Sequence, residues 1–126
     1  MGVFMKKIIL ICGLLTSSFS FGADWVVLDR SHGQESQIDM SSIKKLPSDK
    51  RLVWYRSITK AEEAKYVYLT FRAEIDCTRE TLQNNDLVIH INDKHISQTT
   101  VENPKPFSPP PESSGQKIIQ TTCKVP

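Results

Sequence analysis

Hydrolytic chemistry needs a nucleophile held by a base and an orienting group, and this chain offers serines and three histidines without an elbow of the G-x-S-x-G kind to present one. That argues against an enzyme. Metal binding has one local candidate, since His90, Asp93 and His95 supply imidazole and carboxylate donors suited to zinc or copper. They bracket a turn, however, and a turn built of Asn, Asp, Lys and His needs no metal to account for it, so no cofactor is expected. Glu74 and Asp76 lie two apart on one strand face, the spacing of a paired-carboxylate site. Arg72 shares that face, which makes a cross-strand charge ladder the stronger reading. Lys44, Lys45, Lys50 and Arg51 form the one basic concentration and are the candidate ligand contacts, for a sulfated glycan or an acidic protein segment. A solvated turn is the simpler account of them.

The cysteines depend on where the chain goes. Lys6 and Lys7, the apolar run from Ile8 to Leu15 and the small residues Ser20 and Gly22 make a secretory signal cleaved after Gly22. The run is too short to cross a bilayer of roughly 30 Å as a permanent helix. Cys12 is a poor lipidation site, because Ile9-Leu10-Ile11 precede it where such signals want small residues. Met5 is an alternative start. Residues 23–126 then form one small domain, exported to the periplasm or the outer cell surface. Removing Lys6 and Lys7 leaves fourteen of the sixteen Lys and Arg, equal to the fourteen Asp and Glu, so no electrostatic case for nucleic acid or an anionic membrane survives. Cys77 and Cys123 are the remaining cysteines, with no C-x-x-C spacing, and in an oxidising compartment an isolated pair is a disulfide. Its closure stabilises the fold by about 4 kcal/mol in the chain-entropy model.

These groups need elements to position them. Residues 24–29 and 36–40 read as short strands, residues 41–45 as a helical turn stopped by Pro47, and residues 51–58 as a third strand, with 60–65 a charged connection. Val67, Leu69, Phe71, Ala73, Ile75 and Cys77 alternate with Tyr68, Thr70, Arg72, Glu74 and Asp76. Period two sustained to Cys77 predicts a long strand with one buried and one wet face. Asn84-Asn85-Asp86 reads as a break before a strand over 87–91, and 95–101 returns as a Thr-rich strand after the Asn92-Asp93-Lys94 turn. Five prolines in residues 103–111 deny backbone donors and hold an extended surface crossing. Pro106 and Pro109 have P-x-x-P spacing, which has no SH3-type reader outside the cytoplasm. Ser113 and Gln116 have capping-box spacing, and Ile118, Ile119, Thr122 and Cys123 share one helical face. The expected fold class is α+β: an antiparallel sheet of five or six strands with one C-terminal helix packed on it, stapled by Cys77 and Cys123.

With Trp25, Asp39, Ile43, Trp54, Asp76-Cys77, Pro111-Glu112-Ser113 and Cys123 in this order, the chain resembles the surface-adhesin protein E family, small exported proteins of Gram-negative bacteria. The resemblance implies a sheet-plus-helix domain with the same bridge. It also implies a role as an adhesin for host matrix and plasma proteins such as vitronectin, laminin and plasminogen. The chain departs from the family pattern in having few aromatic residues after Cys77 and many prolines in 104–111, so no binding residue is carried over. A non-enzymatic exported binding protein is therefore expected, the alternative being a periplasmic accessory or structural protein of an envelope assembly without a host ligand.

Overall fold

Alternating side chains make strands wherever their neighbours can pair, and here they pair in sequence order. The computed structural model describes residues 22–126; Met1 to Phe21, which carry all but the last residue of the predicted leader together with Cys12, lie outside the described residues. The strands are β1 (Trp25–Ser31), β2 (Gln34–Asp39), β3 (Lys44–Leu46), β4 (Lys50–Glu62), β5 (Lys65–Asp76), β6 (Thr81–Ile91) and β7 (Lys94–Thr100). The helix α1 spans Ser114–Lys124. All pairings are antiparallel, in the order β1-β2-β4-β5-β6-β7, with β3 continuing along β4 beyond the end of β2. The α+β expectation, with its helix and bridge, is met: Cys77 and Cys123 are joined with their Cα atoms 5.8 Å apart.

Three local expectations change. Residues 41–45 do not form a helical turn; a 3-10 turn covers Met40–Ser42 and the lysines that follow enter β3. Asp39 decides this, because its buried carboxylate accepts from the Ser41 amide (3.1 Å), the Ser41 hydroxyl (2.6 Å) and the Asp24 amide (2.8 Å). The predicted connection at 60–65 is mostly strand, with Glu62 paired to Lys65 across a tight turn whose Ala64 takes φ 61°. The predicted break at 84–86 is a bulge: Asn84 opposes Ala73 and Asp86 opposes Arg72, so Asn85 is the extra residue and the strand runs through. Its carbonyl accepts from the Val101 amide at 2.9 Å.

The helix forms where capping predicts. The Ser113 hydroxyl accepts from the Gln116 amide at 3.2 Å, while the Gln116 side chain accepts from the Glu112 amide at 2.6 Å. Gly115 is required by a close approach, since a Cβ there would lie 2.8 Å from Pro109. The proline segment is itself seated by Phe107, which exchanges backbone hydrogen bonds of 2.9 and 3.0 Å with Leu82. Ile118 and Ile119 of α1 close a core over Ile38, Val53, Ala73, Ile75 and Leu82. Thr122 is wholly buried there, and its hydroxyl has no partner among the described residues.

The predicted dry face of β5 is therefore covered at one end only. Ala73 and Ile75 are buried, while Val67, Leu69 and Phe71 are half-buried. A helix of 11 residues is about 16 Å long, whereas the 13 residues of β4 extend about 43 Å.

Candidate wet-face binding site

The register separates the basic residues that sequence brings together. Lys44 and Lys50 belong to the wet face, opposite the helix, whereas Lys45 lies across from Arg51 on the helix side. Lys44 and Lys45 are exposed, and Lys50 lies 3.9 Å from Glu74. Arg51 is 8% exposed and turns inward, donating from one guanidinium nitrogen to the carbonyls of Thr122 (2.8 Å) and Val125. It closes the C-terminal end of α1, where carbonyls lack helical partners and a cation is favoured.

The carboxylates are likewise engaged. Arg72 meets Asp86 across the strands at 2.7 Å, and Asp76 accepts from the amides of Thr78 (3.1 Å) and Arg79 (3.0 Å), which folds the turn into β6. His90 and His95 are cross-strand partners with ring centroids 5.3 Å apart, edge to face, and Asp93 is exposed in the turn beside them. No group of three or more His, Cys, Asp or Glu that could hold a metal ion occurs among the described residues.

A different set converges on the wet face. The Arg56 guanidinium lies 4.0 Å from the Trp25 ring centre and 5.2 Å from that of Tyr68, between strands β1 and β5. Contacts of this kind contribute roughly 0.5–2 kcal/mol, more as water is excluded. Nε of Arg56 donates to Gln37 at 2.7 Å; Gln37 donates to Glu35, and Glu35 accepts from Arg30 at 2.6 Å. The side chains of β2 thus string two arginines along one line. Arg30 holds the Glu35 carboxyl below its ordinary range, against the opposing effect of burial. Burial pushes the Arg56 guanidinium down from its usual value.

At the far end of this line a groove of about 420 Å³ opens between the β1–β2 turn, Arg30, Glu35, Ile58, Lys60 and Tyr66. The turn is a two-residue loop with His32 at φ 50° and Gly33 at φ 77°, the conformation a tight hairpin requires. Ser31 and His32 also line the groove, and the Glu35 carboxylate is held by Arg30 and Gln37. The groove is suited to binding through aromatic faces, guanidinium edges and a lysine. Its size falls within the range of ligand clefts.

Sequence reasoning missed Trp25, Arg56 and Tyr68 as a set. No local spacing links residues 25, 56 and 68; only the registers Trp25 to Asp39, Gln37 to Arg56 and Ile58 to Tyr68 bring them together. The available signal was the alternation of β4, which puts Trp54, Arg56 and Ile58 on the face shared with Tyr68. No family model, no curated protein and no solved structure matches this chain.

Proposed function

We propose that residues 23–126 form a non-enzymatic exported binding protein, displayed at a bacterial cell surface, whose wet face holds a host matrix or plasma protein. The observation that carries this reading is the Trp25–Arg56–Tyr68 array beside the 420 Å³ groove. Trp, Tyr and Arg are the residues that dominate the energetics of protein interfaces, because each offers a large, stiff surface with a polar edge. The bridge between Cys77 and Cys123 supports an oxidising compartment, as the predicted leader does. No helix among the described residues is long and apolar enough to cross a membrane.

The test has two arms. Purified protein is titrated onto immobilised vitronectin, laminin and plasminogen, and native cells are probed with protease and antibody beside a periplasmic leakage control. Saturable binding that Arg56→Ala and Trp25→Ala each weaken by about 30-fold, the loss of one interface anchor, supports the reading. Absence of binding together with full protection in intact cells overturns it and leaves the periplasmic accessory role.

A further inference from the structure

The hairpin between β6 and β7 sets two imidazoles side by side on the wet face. Its two-residue turn, Asn92-Asp93, leaves Ile91 opposite Lys94 and His90 opposite His95, and Ile89 then pairs with Ser97, so Ile96 is the extra residue of a bulge. His90 shares its row with Tyr68 of β5, which places the pair on the Arg56 side of the sheet, whereas Lys94 belongs with Ile91 on the helix side. The turn is pinned from β5: the Asn92 amide donates to the Tyr66 carbonyl and the Asn92 side chain accepts from the Tyr66 amide, both at 2.9 Å. His90 is half-buried and His95 exposed, so water and small ions reach them. The strand positions beside them on that face, Tyr68, Val88 and Gln98, carry no cation to repel a metal ion.

We propose that His90 and His95 chelate one Zn2+ ion, with two positions left to water or to a donor from a bound partner. Imidazole suits zinc, which takes its nitrogen at about 2.0–2.1 Å in tetrahedral surroundings. A ring nitrogen lies ~1.15 Å from its ring centre, so two imidazoles at the tetrahedral angle hold their centres ~5.2 Å apart. The observed separation is 5.3 Å. Neighbouring positions of a square-planar ion such as Cu2+ would set the centres ~4.5 Å apart. The centre separation decides because the ring centre lies on the Cβ–Cγ axis. Turning about that bond, a soft torsion in histidine, re-aims the nitrogens and leaves the centres in place. The 81° between the ring planes changes with that same torsion. Two protein ligands are fewer than a structural zinc site has, which makes this an open, exchangeable site and not one that holds the fold together. Because the pinned turn holds both rings in place before the ion arrives, the second imidazole binds as an intramolecular step, and the pair outdoes either ring alone. This inference goes beyond the adhesin reading and does not rest on it, since neither Trp25 nor Arg56 takes part.

Calorimetric titration of Zn2+ into untagged residues 23–126 with the bridge intact, from about 1 μM to about 1 mM at about pH 7.5, reads the site. One ion per chain is expected, with saturation inside that range. His90→Ala and His95→Ala each weaken binding at least about tenfold, the loss of the intramolecular step. His32→Ala, in the β1–β2 turn, leaves it unchanged. In the unaltered protein the ring-proton resonances of His90 and His95 move together with one midpoint while those of His32 stay, a readout that needs no variant to fold. Failure to saturate by about 1 mM overturns the inference. Binding that survives the loss of either ring, a loss on His32→Ala, or shifts confined to one ring of the pair overturns it equally.

Discussion

Replacing Arg51 by Met keeps most of the aliphatic stem and removes the guanidinium that closes α1. The structure sets the cost. One nitrogen reaches both Thr122 and Val125 carbonyls, the first in a buried bond and the second in a part-buried one, and Arg51 itself is 8% exposed. A buried carbonyl left without a donor costs about 1–3 kcal/mol, and a cation at a helix C-terminus contributes up to ~2 kcal/mol. Against this stands the cost of burying the guanidinium, several kcal/mol, which Met does not incur. We expect a net loss of about 3 kcal/mol. Urea unfolding followed by far-UV circular dichroism is the assay; with a slope near 1–1.5 kcal/mol per molar for a domain of this size, the midpoint falls by roughly 2–3 M. Lys50→Met is the control, since a half-exposed pair 3.9 Å from Glu74 is worth less than about 1 kcal/mol. Equal small losses in both variants would refute the assignment of Arg51 to the helix end. The Cys77 to Cys123 bridge fastens the same helix end, so removing both cysteines costs about 4 kcal/mol and couples to Arg51→Met.

Gly115→Ala introduces a Cβ 2.8 Å from Pro109, so despite a gain of up to ~1 kcal/mol in helix propensity it lowers stability by about 1–3 kcal/mol; an increase in Tm would show that Pro109 is not seated there. Thr122→Val removes a buried hydroxyl without a partner among the described residues and raises stability by about 1 kcal/mol in thermal unfolding; a decrease would mean the hydroxyl is bonded. Burial pushes the Tyr55 phenol from its ordinary 10.0 up to about 12, opposed by the hydrogen bond to Asn84. A native value above the unfolded one means that stability is full below pH 10 and falls as the pH rises towards 12. Tyr55→Phe should therefore remove this alkaline loss in a series of Tm against pH, and an unchanged loss would sink the argument.

The sequence by itself determined what is local. Period-two alternation from Val67 to Cys77 specified a strand and its two faces, because successive side chains of an extended chain point opposite ways. Ser113 and Gln116 specified the helix start through hydrogen bonds within one turn, and with the predicted leader set aside Cys77 and Cys123 are the two cysteines that remain, which the structure joins. Asn84 to Asp86 misled, because residues that favour turns also sit in bulges once a paired strand on each side holds them. What only the tertiary structure decided is register and reach. Lys45 and Arg51 are neighbours in a basic cluster by sequence, yet pairing turns Arg51 inward to carbonyls 71 and 74 residues away. Trp25, Arg56 and Tyr68 meet because three pairings align their strands. The far ends of β5 and β6 lie outside the core because α1 is docked over Val53, Ala73, Ile75 and Leu82 and its last turn is fastened to Cys77.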